Sequence, residues 1–230
     1  MNDQLNYEIL IPAYNAGNTI SALLEELGNL TRKPQKITVV NDGSQDDTRE
    51  NCKRFAVEVI NIEQNSGKGR ALKNGIQDFL DRSSADYLLC MDADLQHPVS
   101  CVSDFLKTAN QTGSQLIIGA RPRSVKTMPV HRILSNAITS LILTRLTGQQ
   151  IQDSQCGFRL IHRNVLQRLR LIENGYQFET EMLLKAADAG INLYFVPIPT
   201  IYQSEKSHMR NVRDTILFIK LIIRYLLKRA

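Results

Sequence analysis

The sequence predicts an α/β fold, Rossmann-like, with a mostly parallel sheet and helices on both faces. Three observations predict it. Short apolar runs bounded by polar residues alternate with stretches of helical periodicity through the first 120 residues. The 230-residue length falls within the range of one α/β domain and buries a sizeable core without disulfides. Each apolar run ends in a cluster of polar or charged residues, where an open parallel sheet binds its ligands.

The elements follow in order. Residues 7–12 are apolar and read as a buried strand; a helix capped by Asn18 or Thr19 runs to about Leu30. Residues 36–40 give a second strand and 46–55 a second helix, then 57–62 a strand and 70–80 a helix. Residues 87–91 form a fourth strand, and Pro98 suits the first turn of a helix reaching about Asn110. A fifth strand covers 116–119. The rhythm then breaks: a helix over 130–146, a short strand over 157–161, a helix over 179–189, a strand over 192–196 and a last helix over about 212–228. One domain, 1–230, is expected, with a nucleotide-binding half at 1–125, an acceptor half at 126–210 and a C-terminal amphipathic helix at 211–230.

Net charge is +5, which suits anionic partners such as diphosphates or acidic lipid headgroups and is too small to argue for nucleic acid, which is not expected. Cys52, Cys90, Cys101 and Cys156 form no C-x-x-C pair and read as reduced thiols of a cytoplasmic protein. The polar, partly acidic start lacks the pattern of a secretory signal, and no apolar run approaches the ~18 residues that span a bilayer.

Asp92 and Asp94 are the sharpest chemical signal. In an extended segment, residues two apart point the same way. Two hard carboxylates on one side suit Mg²⁺ or Mn²⁺ with positions left for phosphate oxygens, and such an ion stabilises a departing diphosphate. The rival reading has one aspartate capping the next helix and the other solvated. Asp42, in Asn41-Asp42-Gly43-Ser44, is either a turn residue or a carboxylate that receives a base or ribose. Gly67-Lys68-Gly69-Arg70 opens a helix, where glycines allow backbone to approach a ligand, but its spacing is not that of a phosphate-binding P-loop.

In this order the chain resembles the family 2 glycosyltransferases of the GT-A fold, above all the dolichyl- and polyprenyl-phosphate mannose or glucose synthases. The resemblance rests on Ile11-Pro12-Ala13-Tyr14-Asn15, Asn41-Asp42-Gly43-Ser44, Asn65-Ser66-Gly67-Lys68-Gly69, Asp92-Ala93-Asp94-Leu95-Gln96-His97-Pro98 and Asp153-Ser154-Gln155-Cys156-Gly157-Phe158-Arg159, and it covers nearly the whole chain. It implies that Pro12, Tyr14, Asn15 and Asp42 line the nucleoside pocket, with Lys68 beside it. It implies that Asp92 and Asp94 hold metal and diphosphate, Gln96 being a further ligand. The family often carries Glu after the Tyr-Asn pair; Ala16 stands there, so UDP and GDP both remain open.

A lipid-phosphate acceptor needs an anion site, for which Arg121, Arg123, Arg132 and Ser135 are the candidates; the resemblance favours Arg121, Arg132 and Ser135. An anionic phosphate nucleophile needs positioning more than a base, whereas a hydroxyl acceptor needs one within reach. Asp153 is the first candidate for such a base, with Glu179 or Glu181 behind it. The resemblance places Asp153 at the sugar site, has Lys206 or His208 reach the donor diphosphate, and implies inversion at the anomeric carbon.

In the last helix Lys220, Arg224 and Lys228 recur every four residues beside apolar side chains, as in a helix lying on an anionic leaflet. Residues 133–146 offer a second apolar helix, for an acyl chain or for the core. The expectation is thus a peripheral enzyme of the cytoplasmic membrane face, moving a hexose from a UDP- or GDP-sugar to a polyprenyl or dolichyl phosphate. Transfer to a hydroxyl acceptor and a non-catalytic nucleotide-sugar-binding module are the rivals, and homo-oligomerisation is left open.

Overall fold

The computed structural model describes residues 5–122, 130–201 and 211–227, the side chains at 131–132 and 211–212 excepted. Seven strands form one sheet: β1 (Tyr7–Ala13), β2 (Ile37–Asp42), β3 (Glu58–Ile62), β4 (Tyr87–Cys90), β5 (Leu116–Ala120), β6 (Arg159–His162) and β7 (Leu193–Pro197). Their order is β3-β2-β1-β4-β6-β5-β7. All neighbours are parallel except β6, which runs antiparallel between β4 and β5.

Eight α-helices are described: α1 (Ile20–Gly28), α2 (Thr48–Cys52), α3 (Lys68–Arg82), α4 (Val102–Thr112, entered through a 3₁₀ turn at Val99–Cys101), α5 (Val130–Thr147), α6 (Arg163–Arg168), α7 (Gln177–Asp188) and α8 (Asn211–Leu227). Every predicted element is present within a few residues. The six-residue α6 is an addition: its Val165 and Leu166 are buried, but two apolar residues carry too little periodicity to announce a helix. Strands β1, β4 and β5 are buried nearly end to end, because helices cover the sheet on either side. All four cysteines are buried and unbridged.

The antiparallel insertion decides where the chemistry lies. Arg159, at the start of β6, pairs with both Cys90 and Ile118. The segment leading into β6, residues 153–158, therefore arrives at the carboxyl ends of β4 and β5. Loops following β1, β2, β4 and β5 and the loop preceding β6 all meet at that edge.

Candidate active site

Asp92 follows β4 and carries the centre of the site. The expected extended geometry does not hold: the strand ends at Cys90, Ala93 and Asp94 lie in a turn, and Leu95 takes a positive φ of 59°. The backbone N–H of Gln96 closes this turn onto Asp94 Oδ1 at 3.1 Å. The relation of the two carboxylates is thus set by a turn and not by strand alternation. Burial, and after it the negative charge of Asp92, pushes the Asp94 carboxyl up to about 6. Asp92 moves the other way: burial opposes its charge, but Lys68, together with His97 and Arg121, brings it down to about 2.

Lys68 stands within the acidic centre. Its Nζ is 2.6 Å from Asp92 Oδ1 and 2.7 Å from Glu179 Oε1. Burial works against the ammonium, yet the two carboxylates hold its pKa above the ordinary lysine value. Glu179 Oε1 meets Lys68 as an ion pair outside hydrogen-bond geometry, and buried Oε2 has no hydrogen-bond partner among the described residues. Gly157 completes the enclosure, since a Cβ there would lie 2.8 Å from Lys68 Nζ and 2.9 Å from Asp92 Oδ2.

His97 supports Asp92 from below. Its Nδ1 accepts the Asp92 backbone N–H at 3.0 Å, and the ring stacks on Phe158 with centroids 5.1 Å apart. Burial lowers its pKa to about 4, so the imidazole is neutral near pH 7 and carries its proton on Nε2. The 3.8 Å from Nε2 to Asp92 Oδ2 is too long for a hydrogen bond. His97 appears in the sequence only as part of a motif; nothing in residue spacing says that it is buried under the aspartate.

The loops assigned to the nucleoside are tied together tightly. Asp42 is buried, and its oxygens accept from Ser66 N, Ser66 Oγ and Gly67 N at 2.8–2.9 Å. Asn15, at φ 50°, donates its N–H to Ser44 Oγ and accepts Gln45 N–H on Oδ1. Pro12 and Tyr14 are half-buried at the end of β1. The glycines of 67–69 are packed against protein backbone. A Cβ on Gly67 would lie 2.6 Å from Asn174 O, and one on Gly69 2.8 Å from the backbone of residues 173–175. They admit the backbone of residues 173–175 at close range. Arg70 N–H donates to Asn174 O, which with Asp42 closes much of the N-terminus of α3.

Arg121 and Asp153 form the second half of the site. Asp153 is fully buried and takes Arg121 Nε at 2.7 Å and Nη2 at 3.2 Å. It also accepts Asn136 Nδ2 at 3.1 Å and Gln155 N–H at 3.0 Å. Burial opposes its charge, but Arg121, together with the backbone N–H groups of Gln155 and Arg121, lowers its pKa from the ordinary value. Asn136 reaches it from α5, where the adjacent Ser135 is exposed. Arg159 lies beneath, 2% exposed, donating to the carbonyls of Cys156, Glu179 and Ser154 at 2.8–3.4 Å. Glu181, the other glutamate weighed as a base, accepts Ile172 and Glu173 N–H groups and pairs with Lys185; it fixes the 172–173 segment. Arg123, Lys206, His208 and the side chain of Arg132 lie outside the described residues.

The arrangement can hold a cation and a polyanion side by side. Asp92 and the charge-stressed Asp94 present hard oxygens, and the Arg121 guanidinium, with its Nε and Nη2 turned to Asp153, adds positive charge nearby. Among the described residues no group of three or more His, Cys, Asp or Glu forms a metal cage. Mg²⁺ commonly binds through one or two carboxylates plus ligand phosphates, so this donor set fits it.

Residues 8–170 match the family model described as Glycosyl transferase family 2. A UDP-N-acetylglucosamine–dolichyl-phosphate N-acetylglucosaminyltransferase of Methanococcus voltae is 30% identical over 224 residues, covering 88% of either chain. A dolichyl-phosphate beta-glucosyltransferase of Trichomonas vaginalis is 27% identical over 83% of this chain and 64% of its own. Among solved structures, glucosyl-3-phosphoglycerate synthase from Mycobacterium tuberculosis, crystallised with Mn²⁺, UDP and glucosyl-3-phosphoglycerate, superposes with a TM-score of 0.72 at 22% identity over 98% of this chain and 80% of that one. The expected GT-A architecture is therefore present, and the chain belongs to glycosyl transferase family 2.

Proposed function

We propose that this glycosyltransferase moves a hexose from a UDP- or GDP-linked donor to a polyprenyl or dolichyl phosphate, with inversion at the anomeric carbon. The observation that carries the reading is Asp153. It is fully buried and its oxygens are taken up by Arg121, Asn136 and Gln155. A carboxylate so occupied orients a guanidinium rather than removing a proton. An acceptor that is already anionic needs a positioned cation and no base. The names of the relatives from Methanococcus voltae and Trichomonas vaginalis, both dolichyl-phosphate transferases, support the same acceptor class.

In this reading Pro12, Tyr14 and Asn15 line the nucleoside pocket, and Asp42 shapes it by fixing residues 66–67. Asp92 and Asp94, with Gln96 beside them, would hold a Mg²⁺ or Mn²⁺ ion, which when bound supplies charge balance for the departing diphosphate. Arg121, fixed by Asp153, faces the acceptor phosphate, with Arg132 and Ser135 of α5 completing its site. Lys206 and His208 serve the donor diphosphate. An acceptor oxygen attacks the anomeric carbon in line as the bond to the diphosphate oxygen breaks, so one displacement inverts the centre.

Transfer to a hydroxyl would require a base. Glu181 is consumed by the 172–173 segment and Glu179 is paired with Lys68. The test supplies purified protein with labelled UDP- and GDP-sugars, a polyprenyl phosphate and the matching polyprenol. The reading expects an acid-labile sugar-phosphate-lipid from the phosphate alone. Product from the alcohol and none from the phosphate contradicts it.

We further propose that the enzyme works on the cytoplasmic membrane face. Among the described residues no helix is long and apolar enough to cross a bilayer. Yet α5 exposes Val130, Leu134, Ile138 and Leu141, and α8 exposes Ile216, Ile219, Ile223 and Leu226. Each set recurs every three or four residues and forms one row along its helix. Lys220 and Arg224, the latter paired with Glu173, are exposed beside the second row, and the Lys220 charge suits anionic headgroups.

A further inference from the structure

The Lys68 ammonium occupies the carboxylate that the proposed metal site would use. It lies 2.6 Å from Asp92 Oδ1, in a pocket where the lysine side chain is 16% exposed and Asp92 26%. A dication arriving alone at Asp92 and Asp94 would meet that ammonium at short range, and partial burial weakens the solvent screening of their repulsion. Two features relieve it. The negative charge of a nucleoside diphosphate balances both cations. Glu179, 2.7 Å from the same Nζ, has a buried oxygen, Oε2, with no hydrogen-bond partner among the described residues. The lysine therefore has somewhere to go without leaving the site.

We propose that Lys68 couples cation binding to nucleotide binding. Its ion pair with Asp92 keeps the Asp92–Asp94 pair a weak cation site until a nucleoside diphosphate arrives, and Glu179 receives the ammonium as the cation enters. Lys68 and Glu179 are thus positioning residues for the reaction. The inference rests on the proposed metal role of Asp92 and Asp94 and deepens it. Coupling of this kind is reciprocal: the nucleotide tightens the metal as much as the metal tightens the nucleotide. Its consequence is that free divalent ion does not fill the site ahead of the donor.

The test reads Mn²⁺ binding directly, by the electron paramagnetic resonance signal of free Mn²⁺, with no turnover involved. Wild type, Lys68→Met and Glu179→Gln are titrated with Mn²⁺ alone and with UDP or GDP present, after circular dichroism has matched their folds. In wild type, the nucleotide that binds tightens Mn²⁺ about tenfold or more. Lys68→Met binds Mn²⁺ alone about tenfold tighter than wild type and loses most of that coupling. Glu179→Gln, which leaves the ammonium with only Asp92, binds Mn²⁺ alone more weakly than wild type. A folded Lys68→Met protein whose affinity for Mn²⁺ alone stays within about twofold of wild type overturns the coupling and leaves the metal site standing. Absence of Mn²⁺ binding to wild type with either nucleotide overturns the metal site itself.

Discussion

At Asp153 the ordinary reading of a carboxylate near a sugar site gives way to its surroundings. Arg121 lowers its pKa, so its stabilising effect is full above the ordinary carboxylate value and is lost as pH falls through the lower, folded one. Asp153→Asn leaves the Arg121 charge without its partner, at a cost of about 3–5 kcal/mol near pH 7. Urea unfolding at a series of pH values should show that gap narrowing below about pH 4. A gap that stays constant down to pH 2 contradicts the ion-pair account. The donor residues predict a different pattern. Asp92→Asn and Asp94→Asn should each lower kcat/KM by about 10²-fold or more with the fold intact, as loss of charge stabilisation for a leaving group does. Sequence alone made these two aspartates stand out, because their spacing and position after an apolar strand are local facts. That His97 is neutral, that Lys68 sits between Asp92 and Glu179, and that Asn136 reaches Asp153 across 17 positions are products of packing, invisible in any window of the chain.

Among the elements, the loop entering α3 shows how one local signal supports two structures. Its glycines could face a phosphate or a neighbouring strand of backbone, and the residues alone do not separate these. Residues 173–175 separate them by approaching within 2.6–2.8 Å of where side chains would stand. Gly67 also has φ 98°, so Gly67→Ala combines backbone strain with collision against Asn174 O. It should destabilise the fold by about 1–3 kcal/mol. Chemical denaturation measures this, and a change under about 0.5 kcal/mol, ordinary for a surface substitution, would contradict it. Gly157→Ala meets side-chain ends that can yield, so its effect should fall mainly on activity. Strand β6 was legible as a short apolar run, but its direction was not. Four residues carry no polarity signal, and its place between β4 and β5 is set by pairing with chain about 70 and 40 residues earlier. That insertion is what delivers Asp153, Gly157 and Arg159 to the donor end of the sheet.

For the molecule as a whole, the fold class followed from alternation of apolar runs and helical periodicity, which is a property of the chain itself. The exposed rows on α5 and α8 were only half legible. Both helices also bury a face, with Leu143 on the first and Leu221 and Tyr225 on the second, and sequence could not apportion their apolar residues between core and solvent. With the faces assigned, the membrane proposal becomes testable. Ile219→Glu together with Ile223→Glu should weaken co-sedimentation with anionic vesicles by about tenfold or more, because each isoleucine that enters the bilayer contributes about 1.5–3 kcal/mol. The melting temperature should hold, since both side chains are exposed; unchanged vesicle binding contradicts a role for α8. The central claim, that Asp92 and Asp94 grip a divalent ion beside the diphosphate, is tested most directly by Mn²⁺ anomalous scattering from crystals grown with UDP or GDP. The account predicts a manganese peak bonded to oxygens of Asp92 or Asp94 and to the diphosphate. A well-ordered nucleotide with no such peak, or with manganese held elsewhere while both carboxylates face away, would contradict it.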